Sequence, residues 1–512
     1  METEGAREGQ TRASEDVAQS AGRGFLLITG AKIWFMLGGA LITFGLPHLL
    51  GGGEAGKVLY GQYFDLNNSL SILSMVLITG GVQAVSRWAA HDDPAVAGGA
   101  TRRLLYAIGG LATLVGGIFA LSAGDLATSR GNPELLPAYQ ICGLLLAAYG
   151  FYVVFIGALN GRRAFAQQAL FDMGFTTLKV SLVLGAAALG FGVIGAFRGF
   201  ALAATLICLI AALRISLTES DELRPPPWRA LLSYGAQVMI YTLLFNLSFK
   251  LDIFFLKPLA LAHHTQEEVD ALVGVYGMAL NFARLPWQAT IAITFVAFPL
   301  LSAATFAEDP QRSNGYIRQT LRYGAILIGA AVAGLAAAPR APLFILPTGY
   351  EPVAMLLPVL AVAYLSFSLF NLCNTLLLSA GKTKSALLIA ICTVVAAGGL
   401  YQFSLTGLAG EVLILRAAWL TLAAFTFGLC LALFSLHRHF GSPLPLGSGL
   451  RIGGLIGLAA LIGQLLPPLH PLAEPLIAVG AAVSFLLGLW LLREFDEEDQ
   501  ARLRRVLRGA KS

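Results

Sequence analysis

Along this chain, long apolar runs alternate with short polar connections. Runs of mostly apolar residues fall near 25–47, 66–86, 104–124, 137–159, 174–194, 197–216, 231–256, 271–304, 321–346, 352–380, 385–403, 408–435, 451–467 and 473–492. A helix of about 18 or more such residues crosses the roughly 30 Å of hydrocarbon in a bilayer, so the pattern predicts about fourteen transmembrane helices. No hydrophilic segment between them exceeds about 25 residues, too few for a folded soluble domain, which needs roughly 50. The expected fold is an all-α polytopic membrane protein whose work is done inside the helix bundle.

Composition agrees. Of 512 residues, 56% are hydrophobic and 12% charged, with mean hydropathy +0.73, outside the range of soluble globular chains. The first 24 residues are polar, and the apolar run from Phe25 to Leu50 is too long for a signal-peptide core, so it is expected to stay as a helix. Five cysteines lie in apolar spans without metal-ligand spacing and read as packing residues. A net charge of +5 would suggest nucleic acid in a soluble protein. Here the basic residues lie in short connections and a tail, so no nucleic-acid partner is expected. Lysine and arginine favour the tails and the even-to-odd connections over the other side by roughly four to one, which by the positive-inside rule makes both termini cytoplasmic. Lys32, Lys179, Arg284 and Arg416 fall inside spans instead.

The second span repeats in the eighth at a shift of 213 residues, pairing Gly61-Gln62-Tyr63 with Gly274-Val275-Tyr276 and Asn68 with Asn281. A second trace pairs Leu135-Leu136-Pro137 with Leu356-Leu357-Pro358. The copies lie six spans apart and point the same way, which predicts two pseudo-symmetric six-helix lobes with substrate between them. The expected division is a cytoplasmic tail 1–24, an N-lobe 25–220, a C-lobe 221–440, two further helices in 441–492 and a basic cytoplasmic tail 493–512.

Some motifs are excluded early. Gly51-Gly52-Gly53-Glu54-Ala55-Gly56-Lys57 fits the start of a phosphate-binding loop, but Val58 replaces the metal-binding hydroxyl and no strand precedes it. No histidine pair has a metal-site frame, and no catalytic, metal or cofactor residues are assigned. Two spans carry polar residues at helical spacing: Asn67, Ser71 and Ser74 on the second, and Tyr364, Ser368, Asn371, Thr375 and Ser379 on the tenth. These read either as interhelical hydrogen-bonding residues or as the wall of a wet lumen. Lys250 and Asp252 are about 200° apart on a helix and cannot pair with each other. Asp252 is expected to pair with Arg284, with Lys250 on another face or snorkelling to the interface. Lys32 and Arg284, ions inside apolar spans with no acidic residue one turn away, are the candidates for binding an anionic group.

Several segments together resemble the polysaccharide flippases of the multidrug/oligosaccharidyl-lipid/polysaccharide (MOP) exporter superfamily. They are Val58-Leu59-Tyr60-Gly61-Gln62-Tyr63, Gly80-Gly81-Val82, Asp252 to Leu256, Gly274-Val275-Tyr276, Arg284-Leu285-Pro286, Phe298-Pro299-Leu300-Leu301-Ser302 and Pro347-Thr348-Gly349-Tyr350. The resemblance implies transfer of undecaprenyl-pyrophosphate-linked oligosaccharides, of the O-antigen, lipopolysaccharide or exopolysaccharide kind, from the cytoplasmic to the outer leaflet of a bacterial inner membrane. It implies alternating access without ATP hydrolysis, with Na+, H+ or the membrane potential as the driving force, and polysaccharide polymerase or assembly proteins as partners. In that reading Lys32 and Arg284 take the pyrophosphate, Asn67, Ser71, Asn371 and Thr375 line the glycan path, and Asp252 with Lys250 is structural or ion-coupling. The alternatives are a lipid II flippase, against which stands the single Lys32 where that branch has an Arg-rich first helix, a drug exporter of the same fold, and a membrane glycan polymerase or ligase.

Overall fold

The computed structural model describes residues 27–218, 222–290, 293–294, 297, 301, 310–441, 445–467, 470 and 472–495. The expected tail 1–24, most of 493–512, and Phe298-Pro299-Leu300 with Ser302 lie outside them. The described residues form fifteen helices: α1 Leu27–Leu49, α2 Gly53–Ala89, α3 Pro94–Leu121, α4 Ala123–Ser129, α5 Leu136–Gly161, α6 Phe165–Ala188, α7 Gly192–Arg214, α8 Trp228–Leu261, α9 Gln266–Ala283, α10 Pro310–Ala337, α11 Val353–Ser379, α12 Thr383–Ser404, α13 Gly410–Phe440, α14 Leu446–Leu465 and α15 Ala473–Leu491. Thirteen are long and apolar enough to cross a membrane, and the chain is a multi-pass integral membrane protein.

Thirteen of the fourteen expected spans thus have a helix of their own. The eighth, expected over 271–304, is α9 up to Ala283, then a 3-10 turn at Leu285–Gln288, after which the described residues Ala289, Thr290, Ile293, Thr294, Ala297 and Leu301 are helical again. Pro286 explains the interruption, since its ring nitrogen has no hydrogen to continue the ladder. Arg284 caps the helix C-terminus, where a cation meets the negative end of the helix dipole. The second span begins earlier than expected, because α2 starts at the glycine turn. Gly51, Gly52 and Gly53 all have positive φ, open to glycine without penalty, and Lys57 Nζ lies 2.6 Å from Glu54 Oε1. That lysine belongs to its own helix end, and the phosphate-loop reading has no support.

Two compact units result, Met1–Lys250 and Leu251–Ser512. The sequence division placed the lobe boundary near 220, and the difference is the first part of α8. Met239 of α8 packs on Gly80, and Asn68 Nδ2 donates to the Lys250 carbonyl at 3.3 Å. Beyond Leu251 the same helix turns to other partners, with Phe255 stacked on Tyr401 at 6.1 Å.

In the first unit α5 is the central helix, with 72% of its apolar window buried against 17% for α1. Glycines seven residues apart make this possible. A Cβ on Gly143 would collide with the Gly116 carbonyl of α3, one on Gly150 with Ala112, and one on Gly157 with Val85 of α2. Without side chains at these positions the backbones approach closely, the means by which helices associate in lipid. Its counterpart six spans on, α11, is 67% buried in the second unit. The Leu-Leu-Pro repeat therefore marks the start of each central helix.

The last two helices cover α10. Gly334 of α10 abuts the Ala478 carbonyl of α15, and Gly463 of α14 abuts the Ala336 and Ala337 carbonyls. This raises burial of α10 to 67%, against 28% for α3. A buried carboxylate, Glu494, closes the assembly: Arg322 Nε donates to it at 3.0 Å, Arg451 Nη1 at 2.8 Å and Ser448 Oγ at 2.5 Å. Burial opposes the charged form of Glu494, but the hydrogen bonds from Ser448, Arg451 and Arg322 outweigh it and hold the carboxyl below the usual glutamate range.

Gly143→Val should sharply reduce folded protein, because overpacking typically costs 1–3 kcal/mol even when side chains can move, and here the obstacle is backbone. Gly117→Val, at a position with nothing within 4 Å, should leave it near wild type. Size-exclusion yield of the two detergent-extracted variants is the measurement, and equal losses would refute the glycine contact.

Candidate functional site

Each unit holds a cluster of polar and charged side chains among its helices. In the second unit the cluster is built from α8, α9, α11, α12 and α13. Arg284 Nε donates to the Tyr364 hydroxyl at 2.7 Å, with the guanidinium 5.3 Å from that ring's centroid. Tyr276 and Tyr401 hydroxyls lie 3.1 Å and 2.8 Å from Thr421 Oγ1, which donates to the Ala417 carbonyl at 2.9 Å. With its proton committed there, Thr421 accepts from both tyrosines. Asp252 is buried, and its charge acts on Tyr276, Tyr364 and Tyr401; Arg284 acts on the latter two with opposite sign. The aspartate and arginine that the sequence singled out therefore converge on one tyrosine cluster. Lys250 is half-buried on the other side of the unit boundary, its ammonium 5.7 Å from the Phe249 ring.

In the first unit one group of ions lies on α1 and α6. Asp172, Thr176 and Lys179 are spaced i, i+4, i+7, on one helical face. That face meets α1: a Cβ on Gly38 would collide with Thr176 and reach Val180, and Trp34 Nε1 donates to Thr177 Oγ1 at 3.1 Å. Lys32, two residues before Trp34 on α1, is exposed. Lys179 Nζ sits 3.9 Å above the Phe200 ring, a cation–π contact that holds charge without a carboxylate. Around it stand Tyr149, Tyr152, Phe175 and Phe200, with ring centroids 5.7 to 6.5 Å apart along the chain of contacts. Arg416 is exposed near the start of α13.

The polar stripes bond mostly to their own backbone. Ser71 donates to the Asn68 carbonyl at 2.9 Å, Ser368 to Tyr364 at 2.5 Å, Thr375 to Asn371 at 2.9 Å and Ser379 to Leu376 at 2.9 Å. These hydroxyls satisfy themselves one turn back, while Asn67 and Asn371 stay half-buried.

Two buried ion pairs escaped the sequence reading. Asp65 of α2 receives Arg130 Nε at 3.1 Å and a second contact from Nη2. Lys257 at the end of α8 meets Asp270 at the start of α9 at 2.6 Å, both fully buried. Each residue lies beside a polar connection and reads as a loop charge. Asp172 was missed because α6 begins at Phe165, nine residues before the expected span. The i, i+4, i+7 spacing through Lys179 was the available signal.

A family model described as "Polysaccharide biosynthesis protein" matches residues 101–346. Against curated protein sequences the chain gives no match. Among solved structures it is similar to the lipid II flippase MurJ in an inward closed conformation, with TM-score 0.68, 12% identity, 92% of this chain and 99% of that one covered. It is similar to a MOP superfamily transporter from Pyrococcus furiosus Vc1 (DSM3638) whose binding pocket is described as of reverse polarity, with TM-score 0.56, 18% identity and coverage of 82% and 96%. A MATE family multidrug resistance transporter in an inward-facing conformation gives TM-score 0.55, 18% identity and coverage of 81% and 98%.

Removing one partner of the Lys257–Asp270 pair leaves an uncompensated buried charge and should cost about 3–5 kcal/mol, whereas replacing both by apolar residues is close to neutral. Lys257→Met and Asp270→Leu should each lower the thermal stability of the detergent-solubilised protein, and the double variant should recover most of it. A double variant whose loss equals the sum of the two single losses would show that the two charges act independently.

Proposed function

We propose that this chain, which has the MOP exporter fold and a central segment matching polysaccharide biosynthesis proteins, is a flippase for lipid-linked oligosaccharides. It moves an undecaprenyl-pyrophosphate glycan from the cytoplasmic to the outer leaflet of a bacterial inner membrane by alternating access, with both termini cytoplasmic. The observation that carries the reading is the contrast among its intramembrane cations. Arg130 and Lys257 are buried against carboxylates, Arg284 is buried against Tyr364, and Lys179 is held on Phe200, while Lys32 and, near the start of its helix, Arg416 are exposed on apolar helices.

An exposed ammonium at that position calls for an anionic visitor, because hydrocarbon is a poor environment for it. A pyrophosphate, with about two negative charges, fits, since cation–phosphate hydrogen bonds are among the strong ones. Arg284 supports from within its tyrosine cluster and takes the headgroup later in the cycle. Asn67, Ser71, Asn371 and Thr375 offer acceptors and donors to sugar hydroxyls. The apolar cavity of about 330 Å³ lined by Ala337, Leu455, Ile462, Ile477 and Phe485 is a seat for isoprenoid chain. Outward movement of two negative charges is favoured by an inside-negative potential by roughly 5 kcal/mol per 100 mV, so the potential, or a Na+ or H+ gradient, suffices as the driving force.

In cells lacking the gene, lipid-linked glycan should accumulate on the cytoplasmic side, and mass spectrometry of the lipid extract identifies it. The wild-type gene should clear it. Lys32→Gln should fail to do so at normal membrane abundance, and Lys32→Arg should clear part of it because the charge survives. Wild-type clearance by the glutamine variant would remove Lys32 from the substrate path.

A further inference from the structure

Two hydrogen-bond donors of the first unit lie in one cluster of rings without an acceptor. Lys179 of α6 is half-buried with its Nζ 3.9 Å above the Phe200 ring, and among the described residues it has no hydrogen bond or ion pair. A ring face holds charge, but it is no oxygen acceptor for the three N–H bonds of an ammonium. Tyr152 of α5 is 6% exposed, and among the described residues its hydroxyl makes no hydrogen bond either. Its ring lies 5.7 Å from Phe175, which lies 6.5 Å from Phe200. Buried donors are normally satisfied, and exceptions call for an explanation.

Phe175 and Lys179 also line a cavity of about 30 Å³ between α1 and α6, together with Thr176 of α6 and Phe35, Gly38 and Ile42 of α1. It has room for a water molecule or two. The two helices run parallel along it, since Trp34 bonds to Thr177, Gly38 abuts Thr176 and Val180, and Gly45 meets Leu184. Lys179 thus faces the stretch of α1 that begins at Phe35, on average about 10 Å beyond Lys32 at 1.5 Å per residue.

We propose that Lys179 is a second ligand for the diphosphate headgroup, which it takes over from Lys32, with the Tyr152 hydroxyl as a further donor. The inference rests on the reading of Lys32 as the first headgroup ligand and of the amino terminus as cytoplasmic, which puts Lys179 outward of Lys32. Between visits the ammonium stays on Phe200. A carboxylate in that place would repel the incoming anion and be left charged and unpaired when the lysine turned away, whereas a ring gives the ammonium up without leaving a charge behind. The diphosphate brings the oxygen acceptors that the cluster lacks, and cation–phosphate hydrogen bonds are among the strong ones. It enters by widening the cavity along the seam with α1, a helix with 17% of its apolar window buried. A second cation ahead of the first keeps the headgroup paired as it leaves Lys32, so that no bare diphosphate faces hydrocarbon.

The test uses full-length protein in detergent, with farnesyl pyrophosphate as the probe and calorimetry as the readout. Lys32→Gln and Lys179→Gln should each weaken binding only about twofold, the loss of one of two comparable positions. The double variant should bind at least about tenfold more weakly than either, as expected when the last charged donor goes. In the Lys32→Gln background Lys179→Arg should keep the affinity, and Tyr152→Phe should lower it about threefold, for one lost hydrogen bond. If Lys32→Gln alone abolishes binding, the diphosphate has one position, and the proposal falls while the proposed function stands. If Lys32→Gln has no effect even in the Lys179→Gln background, the Lys32 reading fails and the handover falls with it. Tyr152→Phe removes one oxygen and keeps the test available should Lys179→Gln fold poorly; unchanged affinity there would remove Tyr152 from the site. Farnesol, which lacks the charge, should bind all variants alike, and a loss of farnesol binding matching that of the probe would assign the effect to packing and overturn the proposal. Inorganic pyrophosphate should displace the probe. Equal displacement by a short-chain phosphatidylglycerol, with the same dependence on Lys179, would make the site a contact for membrane phospholipid and overturn it.

Discussion

A charge inside a bilayer has to be neutralised by its neighbours, and that constraint shapes both units of this protein. Asp65 and Arg130 neutralise each other between α2 and the connection after α4. Lys257 and Asp270 do so between α8 and α9. Arg284 lies at the end of a helix, against a tyrosine and in the field of Asp252. In every case the partners come from different elements, so the same contact that removes the cost of the ion also joins two helices. Breaking one partner is expensive, which makes these residues structural before they are anything else.

Such pairing needs helices close enough for short contacts. The chain provides this with glycine along the central helix α5 and at the seams where α14 and α15 meet α10. Close backbone approach at Gly143, Gly150 and Gly157 brings α2 and α3 onto α5, and the aromatic residues of α5 then reach α6 and α7 through Tyr149 and Tyr152. The packing therefore sets the geometry around Asp172 and Lys179, while the Lys32 side chain stays exposed.

Helix number, the separate standing of the last two helices and the placement of Asp252, Arg284 and Lys32 within helices were legible in the sequence, because hydrophobic runs and isolated ions are one-dimensional signals. The tyrosine cluster was not. Tyr276, Tyr364, Tyr401 and Thr421 come from four different helices and meet only in space. The buried pairs were hidden by position, since Lys257, Asp270 and Arg130 sit next to polar connections and resemble loop charges until folding buries them. The serines and threonines of the polar stripes were read from periodicity as lining or interhelical contacts. Their hydroxyls bond one turn back along the same helix, a local choice that side-chain spacing does not reveal.

The central claim is that Lys32, a cation exposed on an apolar helix, serves the passage of a lipid pyrophosphate. It is tested most directly with purified protein in liposomes holding a fluorescent polyprenyl-pyrophosphate disaccharide, the outer-leaflet fraction being read by a membrane-impermeant quencher. The account predicts that the protein, without ATP, equilibrates the lipid between leaflets many times faster than protein-free liposomes, and faster still with a potential that draws negative charge across. Equilibration no faster than in protein-free liposomes, in a preparation shown to be folded, would contradict it.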